Sequence, residues 1–299
     1  MVLFNQITII GTGLIGGSFA AAIKETDICS RIVGVDINPD SLKIAIKRGI
    51  IDDGFEDINK GITNANLIII AVSVGEVSNI LEKLKLHAPE NCLLVDVGST
   101  KEKIINKAKE IMKERPDLSF IGGHPMTGSE KWGIRWSSPV LFQDSPFILV
   151  PINPKDYHSD RLSNFVDLLN SIGAIVRILG EKEHDWKVGY ISHLPHLVSS
   201  ALVNFISKND DYEQILELAG GGFKDTTRIA GSNSKMWVDI CLSNQEKLEQ
   251  ILHEFIDEIS QLKLLLSRED QQGLLDYFNR ASKIKNKKIK IEGDSDQIN

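Results

Sequence analysis

The sequence predicts an α/β fold in two parts, a doubly wound parallel β-sheet followed by an all-helical region. At the start of the chain, a strand-like run leads into a glycine-rich turn and a helix. Strand-like and helix-like segments then alternate to about residue 180, which is typical of parallel sheets. Beyond Gly180 only helical patterns follow. We therefore expect domains at 1–180 and 181–285, with residues 286–299 forming a flexible tail.

The first element is a strand at residues 7–10 that runs directly into a G-x-G-x-x-G turn and a helix over residues 18–24. In this spacing Gly11 makes the turn, Gly13 lets a pyrophosphate approach the backbone, and Gly16 lets the helix pack on the strand. The helix N-terminus adds free N–H groups. The pattern predicts a Rossmann-type dinucleotide site; the alternative is a glycine turn without a nucleotide. The predicted phosphate-binding residues are Gly11, Gly13, Leu14, Ile15 and Gly16.

The second strand, residues 31–36, ends in Asp36, twenty residues after Gly16. An acid at this position accepts hydrogen bonds from the ribose hydroxyls and repels a 2′-phosphate. The sequence therefore favours NAD as cofactor, with NADP as the alternative. Asn38 and Pro39 follow as a capping residue and a first-turn proline, and they predict the start of the next helix.

Polar side chains follow three further strand-like runs. Ser73 with Val74, then Ser99, then His124 come after apolar segments of the kind that parallel sheets bury on both faces. Ligands bind outside the carboxyl ends of such strands, so we assign Ser73 and Val74 to the cofactor site. His124 is the candidate base, since a histidine pKa lies near the operating pH, and Ser99 is the candidate to orient its imidazole. The alternative is a histidine that only bonds the backbone of a turn. The predicted later strands cover residues 67–72, 92–97, 120–123, 147–150 and 174–179.

The helical half contains an apolar stripe on the helix predicted at 245–266. An extended apolar face of this kind usually marks an interface, and two-fold dimers are the commonest assembly, so we expect a homodimer. The stripe consists of Leu248, Ile251, Leu252, Phe255, Ile259, Leu262 and Leu266. The other predicted helices cover 182–206 with an interruption at Pro195, 211–218, 234–242 and 270–282.

Two further clusters in the helical half carry polar chemistry. His184 and Asp185 precede His193 and His196, which are three residues apart. Imidazoles bind zinc, but no third ligand stands at a typical spacing, so we expect no metal. In the second cluster, three glycines at 220–222 precede Lys224 and Arg228, which favours a loop that binds an anion.

Composition narrows the class of protein. The net charge of −7, from 34 basic and 41 acidic residues, argues against a general nucleic-acid binder. Three widely spaced cysteines indicate a reducing compartment. No apolar run approaches the roughly 18 residues of a membrane span, and the N-terminus lacks a basic signal region. We therefore expect a cytoplasmic protein without a membrane or nucleic-acid partner.

Three segments together resemble the prephenate/arogenate dehydrogenase family of tyrosine biosynthesis. They read GGHPMTGSE at 122–130, ISHLPH at 191–196 and GGGFKDTTRIA at 220–230, in this order behind the glycine turn. The likeness extends over nearly the whole chain, to about Lys283. It implies a nucleotide-binding domain, a helical domain that forms a homodimer, and NAD- or NADP-dependent oxidative decarboxylation of a cyclohexadienol.

The resemblance also implies roles for individual residues. His124 matches the catalytic histidine, and Ser99 matches the serine that orients it. The residues that match the substrate site or stand near it are His196, Arg228, Lys224, Glu130, Thr127 and Gly128. The chain departs from the family pattern at Ser73 and Val74, where a proline is common, and at Thr127, where alanine is common.

A pocket built from His196, Arg228 and Lys224 favours an anionic keto acid over an ammonium-bearing substrate, so we expect oxidation of prephenate to 4-hydroxyphenylpyruvate. Arogenate, which would yield tyrosine, is the alternative substrate. Two other classes stay open. Another hydroxyacid dehydrogenase would need a lysine in the first C-terminal helix, where Lys187 is the nearest candidate. A non-catalytic NAD-binding regulator would lack a base and an anion clamp.

Overall fold

The computed structural model describes residues 2–128, 131–152 and 159–287. The chain forms two compact units, residues 1–248 and residues 249–299. Within the described ranges, no helix has the length and apolar character needed to cross a membrane. The expected domain division at residue 180 stays a prediction. The expected tail lies, from residue 288 onward, outside the described residues.

The first unit contains an eight-stranded sheet in the order β3-β2-β1-β4-β5-β6-β7-β8. The strand order starts at β1 and winds outward in both directions, which confirms the predicted doubly wound sheet. The strands are β1 (Phe4–Ile10), β2 (Cys29–Val35), β3 (Asp53–Phe55), β4 (Leu67–Ile70), β5 (Leu93–Asp96), β6 (Ser119–Pro125), β7 (Pro146–Pro151) and β8 (Ile175–Ile178).

Two strands differ from the prediction. Strand β3 was not predicted, because it has only three half-buried residues beside β2 and therefore little apolar signal. The prediction of an all-parallel sheet was wrong for one pair, since β7 pairs antiparallel with β6. A parallel pair needs a long crossover, usually a helix. Between β6 and β7 the described residues contain only a short 3₁₀ turn at Ile134–Trp136, so the chain returns in the opposite direction.

The core consists of two hydrophobic clusters, one on each face of the sheet. In β1, Ile7 and Ile9 belong to one cluster and Ile10 to the other; in β4, Ile69 and Ile70 divide in the same way. This alternation follows from the two-residue repeat of a strand. Helices cover both faces, which is why the central strands are apolar throughout.

The helices that cover the sheet follow the predicted alternation. The helix after β2 begins as expected: the Asn38 side chain accepts a hydrogen bond from the Asp40 N–H, and Pro39 is its first residue. These helices are α1 (Leu14–Lys24), α2 (Pro39–Lys47), α3 (Ile58–Ile62), α4 (Val74–His87), α5 (Glu102–Glu114) and α6 (Asp160–Ser171).

Only helices and turns follow β8 in the described residues, as predicted. They are α7 (Glu181–Val188), α8 (Leu194–Ile206), α9 (Tyr212–Glu217), α10 (Gly221–Thr227), α11 (Ser234–Ser243), α12 (Gln245–Ser267) and α13 (Gln271–Lys285). A π-helical turn at Gly189–His193 joins α7 to α8, and Pro195 lies in the first turn of α8. The interruption expected at Pro195 therefore takes the form of a wider turn just before it.

The second unit consists of most of α12 together with α13. Its surface carries many large apolar side chains, including Leu252, Ile259 and Leu266 from the predicted stripe and Phe278 from α13. An exposed apolar surface of this kind is typical of an interaction face.

Candidate active site

The glycine-rich turn lies between β1 and α1, and two of its glycines have no room for a side chain. Gly11 has a φ of +95°, and a Cβ there would stand 2.4 Å from the Ala71 carbonyl oxygen. A Cβ on Gly16 would stand 2.0 Å from the Gly11 oxygen. Gly13 is different, because its Cβ would meet no atom within 4 Å. Among the described residues no side chain caps α1, so backbone N–H groups at its N-terminus are left for a ligand.

Asp36 follows β2 and lies half-buried beside this turn. Its Oδ2 accepts hydrogen bonds from the Thr12 N–H at 2.7 Å and the Thr12 hydroxyl at 2.9 Å. Its Oδ1 accepts one from the Asn38 N–H at 2.9 Å. A carboxylate has about four acceptor positions, so Asp36 is held in place and keeps acceptor capacity on Oδ1.

A cavity of about 670 Å³ opens at the carboxyl edge of the sheet. It brings together residues from the ends of three strands and from the glycine turn, as expected for an open α/β sheet. The sequence-predicted residues on its wall are Gly13, Leu14, Ile15, Ser73, Val74, Ser99, His124, Thr127 and Gly128.

Other sequence-predicted residues lie elsewhere. Gly11, Gly16 and Asp36 shape the turn and its surroundings without lining the cavity. Glu130 lies outside the described residues. Lys224 and Arg228 are exposed and do not line the cavity. The structure therefore does not bring these two cations to the pocket wall, although Ser232, four residues after Arg228, does line it.

His196 is also absent from the cavity wall. Its ring stacks on Trp237, with centroids 3.5 Å apart and planes inclined by 7°. Of the neighbouring histidines His193 and His196, the one that lines the cavity is His193, which is 1% exposed. Its Nε2 has no hydrogen-bond partner among the described residues, and burial lowers its pKa to about 4. His196 therefore does not line the cavity, and its assignment to the substrate site stays a prediction.

His124 lies in β6 and is 8% exposed, with part of its ring on the cavity wall. Its Nδ1 is 2.8 Å from His184 Nε2, and His184 Nδ1 is 2.8 Å from Asp185 Oδ1. Burial, together with the nearby His184 and Lys101, holds the pKa of His124 well below its usual value. Nε2 is therefore the ring nitrogen left for a ligand.

Ser99 does not hydrogen-bond His124 in the described part of the chain. Ser99 was the residue predicted to orient that imidazole, but the partner of His124 Nδ1 is His184 from α7. Ser99 lines the cavity. The loop that carries it is anchored by the neighbouring residue Lys101. Lys101 donates to Asp96 at 2.5 Å, with both side chains fully buried, and also donates to the Thr100 carbonyl at 3.0 Å.

The cavity wall also contains residues that the sequence analysis did not select. They include two cations, two indoles and one acid: Lys131, Lys235, Trp132, Trp237 and Asp239. The Lys131 ammonium lies 4.0 Å from the centroid of the Trp136 ring. No short motif marks these side chains. Lys235, Trp237 and Asp239 reach the site through α11, whose position depends on packing against α4.

Comparison with known proteins connects this architecture to a family. Two family models match the chain: "Prephenate dehydrogenase, nucleotide-binding domain" over residues 19–178, and "Prephenate dehydrogenase, dimerization domain" over residues 181–280. A curated prephenate dehydrogenase from Bacillus subtilis strain 168 is 37% identical over 280 residues, which cover 93% of this chain and 74% of that protein.

Solved structures show the same relationship. Prephenate dehydrogenase from Aquifex aeolicus, in complex with hydroxyphenyl propionate and NAD+, is 33% identical with a TM-score of 0.85, covering 94% of this chain and 96% of that one. Arogenate dehydrogenase from Synechocystis is 27% identical with a TM-score of 0.78, covering 94% and 99%. The two family models and the 37% identical relative, which span most of the chain, show that it belongs to the prephenate dehydrogenase family.

Proposed function

We propose that this chain is an NAD-dependent prephenate dehydrogenase that converts prephenate to 4-hydroxyphenylpyruvate with loss of carbon dioxide. The observation that carries the proposal is the position of His124: a buried imidazole with one free nitrogen, in the same cavity as Gly13, Leu14 and Ile15 of the glycine turn. A base and a dinucleotide turn in one cavity are what oxidation of an alcohol requires. The family membership supports the same activity.

The residues of the turn fit a dinucleotide. The open space beside Gly13 is where a backbone without a Cβ admits a pyrophosphate, and the N-terminus of α1 faces it. Asp36 offers Oδ1 to a ribose hydroxyl and repels a 2′-phosphate. The arginines on either side of Asp36 in the sequence are engaged elsewhere, Arg31 with Asp53 and Arg48 with Ser137. These features support NAD over NADP.

His124 accepts the proton of the ring hydroxyl at Nε2. Bound NAD would supply the hydride acceptor for the carbon that carries this hydroxyl, which becomes a ketone. The bond to the ring carboxylate then breaks, and carbon dioxide leaves as the electron pair of this bond enters the ring. The ring becomes aromatic as a phenolate, and this oxygen takes back the proton from His124 Nε2. The low pKa of His124 means that the imidazole is neutral and ready to accept a proton at physiological pH.

Prephenate carries two carboxylates, so the site needs cations. Lys131 and Lys235 line the cavity. The family resemblance adds Arg228, and it implies that Lys224 and Glu130 stand near the pocket. Arg228 begins a 3₁₀ turn that ends just before the cavity residue Ser232. We assign Arg228 to a substrate carboxylate, because guanidinium binds carboxylate through two parallel hydrogen bonds. His196 acts behind Trp237 and keeps that indole on the cavity wall.

The helical half supports a homodimer. Exposed apolar side chains recur on α12 and α13, and the family model that covers residues 181–280 is described as a dimerization domain. A surface of this kind is more stable when covered by a second copy. Sedimentation at micromolar concentration is expected to give twice the chain mass, and a monomer would contradict the assignment.

The activity is tested by following NAD reduction with prephenate and arogenate side by side, and with NADP in place of NAD. We expect the highest kcat/KM with prephenate and NAD. Arogenate is the second candidate because Asp239 lines the cavity and is able to pair an ammonium group. A higher kcat/KM with arogenate would transfer the assignment to that substrate, and no turnover of either would reject it.

His124→Asn tests the base. The variant keeps much of the shape but removes the proton acceptor, so kcat is expected to fall about 10²- to 10⁴-fold with a smaller change in KM. The pH profile gives a second test. The base works only when neutral, so activity is lost as the pH falls through the pKa of His124, which burial holds below 6.5. The acidic limb of kcat/KM is therefore expected below pH 6.5; a limb above that pH, or near-native turnover in the variant, would contradict the role.

A further inference from the structure

The Asp185 carboxylate is anchored by the start of α5. Its Oδ1 accepts the Lys101 backbone N–H at 2.7 Å, and its Oδ2 accepts the Glu102 backbone N–H at 3.0 Å. These groups are among the N–H donors that a helix leaves unpaired at its N-terminus, where a negative charge is favoured. The hydrogen bonds from His184, Glu102 and Lys101 keep the pKa of Asp185 below its usual value despite burial. Asp185 is therefore ionised and acts only as an acceptor.

The ionised carboxylate sets the proton position on His184. Asp185 Oδ1 lies 2.8 Å from His184 Nδ1, so this nitrogen must carry the hydrogen and donate it. His184 is fully buried, and burial lowers its pKa, so the ring is neutral and has a single N–H. Its Nε2 then carries a lone pair and acts as an acceptor.

The acceptor on His184 in turn fixes the position of the hydrogen on His124. Its Nδ1 lies 2.8 Å from the lone pair of His184 Nε2, so His124 donates through Nδ1–H. Neutral imidazole has one hydrogen, and His124 Nε2 is consequently unprotonated. Both hydrogen bonds, from His124 to His184 and from His184 to Asp185, therefore have their donors fixed by Asp185, because its carboxylate is able only to accept.

We propose that His184 and Asp185 are positioning residues that fix the Nδ1–H tautomer of His124 and leave its Nε2 lone pair to take the substrate proton. The inference rests on the proposed function for the identity of the base. The buried Lys101 ammonium does not compete for the imidazole, because it is bonded to Asp96 and to the Thr100 carbonyl. When His124 accepts the hydroxyl proton at Nε2, its Nδ1–H remains hydrogen-bonded to His184 Nε2. The Asp185 carboxylate then stabilises the new positive charge on His124 through the His184 ring.

The tautomer is measurable in the resting enzyme, without substrate. Protein labelled with ¹⁵N at histidine is studied by NMR at pH 8, and His124→Asn assigns the signals. We expect a protonated Nδ1 and an unprotonated Nε2 on His124. Ser99→Ala is expected to keep this pattern, since no hydrogen bond joins Ser99 to the ring in the described chain. A protonated Nε2 in the wild-type protein would overturn the proposal whatever the activity is.

Two substitutions of His184 form a matched pair. The glutamine carboxamide reaches the place of Nε2, so His184→Gln keeps an acceptor for His124; the shorter asparagine reaches only the place of Nδ1, so His184→Asn keeps the contact with Asp185 alone. We expect His184→Gln to retain at least 10-fold more kcat than His184→Asn, with similar KM and similar thermal stability. Equal losses in both variants, parallel to a loss of stability, would show a purely structural role.

Asp185→Asn reverses the chain of donors. The amide nitrogen donates to His184 Nδ1, which moves the His184 hydrogen to Nε2 and leaves His124 to protonate at its own Nε2. In a related His–carboxylate arrangement the same change costs about 10⁴-fold in kcat through the wrong tautomer. We expect a loss of 10²- to 10⁴-fold in kcat with little change in KM, together with the exchanged NMR pattern. If Asp185→Asn fails to fold because α5 loses its cap, the comparison of His184→Gln with His184→Asn tests the proposal instead. A folded Asp185→Asn variant with the native tautomer of His124 and native kcat would refute the proposal. Absence of prephenate turnover in the wild-type enzyme would refute only the proposed function.

Discussion

Two glycine-rich segments of this chain open a helix, and the sequence predicts a ligand loop at both. The first, at 11–17, runs into the first turn of α1, and the second, at 220–222, runs into the first turn of α10. In the first, an added Cβ would collide with backbone at Gly11 and Gly16. In the second, an added Cβ would approach no atom closer than 4.0 Å, and all three glycines are exposed.

The difference shows that glycine serves two separate purposes. At 11–17 the turn is compressed between a buried strand and a helix, so no side chain fits at Gly11 or Gly16, and the backbone beside Gly13 is left open to a ligand. At 220–222 the glycines start a short exposed helix that packs on α8. Binding by that segment depends on the side chains that follow it, Lys224 and Arg228. Substitutions at the two segments are therefore expected to differ in kind as well as in size.

The largest effect is expected from Gly11→Ala. The methyl group would stand 2.4 Å from the Ala71 carbonyl oxygen, and a φ of +95° is strained for alanine. Backbone strain and overpacking each cost about 1–3 kcal/mol, so the free energy of unfolding should fall by about 2–6 kcal/mol. NAD binding should be lost as well. Urea unfolding measures the stability, and a titration measures the affinity for NAD. A variant with native stability and native affinity would show that the first segment tolerates a side chain as the second segment does.

The next largest effect is expected from Arg228→Ala, which tests whether the second segment acts through its side chains. Loss of a carboxylate contact is worth roughly 1–3 kcal/mol, so KM for prephenate should rise about 10- to 200-fold. Thermal stability should not change, because the residue is exposed. Arg228→Lys is the control: it keeps the charge without the two-pronged hydrogen bonding and should give an intermediate KM. An unchanged KM in the alanine variant would leave Lys131 and Lys235 as the cations for the substrate.

A smaller effect is expected from Asp36→Asn, which alters the surroundings of the first segment without touching its glycines. The amide weakens the hydrogen bonds from Thr12 and removes the charge that repels a 2′-phosphate. A charged hydrogen bond contributes about 1.5–3 kcal/mol, so the preference for NAD over NADP should narrow by about 10-fold or more. The ratio of kcat/KM with NAD to kcat/KM with NADP measures this preference, and an unchanged ratio would mean that Asp36 does not select the cofactor.

The smallest effect is expected from Gly222→Ala, the counterpart of Gly11→Ala. No atom lies within 4 Å of the added Cβ, and alanine favours a helix over glycine by up to about 1 kcal/mol. Stability should stay the same or rise slightly, and the kinetic constants for NAD and prephenate should not change. A strong loss of activity would show that this backbone, like that of the first segment, approaches a ligand.

The sequence by itself determined the features that depend on neighbours in the chain. Short motifs predict the turn at Gly11 and the cap at Asn38. Local periodicity predicts that both faces of the central strands are covered. The strand order outward from β1 follows from the alternation of strands and helices. For the same reason the edge of the sheet that holds His124 was predictable, since it is the carboxyl end of a parallel strand.

Only the tertiary structure decided which distant side chains meet. His184 and His124 are 60 residues apart in the chain, yet their rings are joined by a hydrogen bond, while the nearer Ser99 is not bonded to His124. His193, at the end of a π-helical turn, lines the cavity and His196 does not. Strand β7 runs antiparallel to β6, and the described residues between them form no crossover helix. These outcomes depend on how whole elements pack and on the register of each helix face. A one-residue change in that register redirects a side chain, and no local pattern in the sequence encodes it.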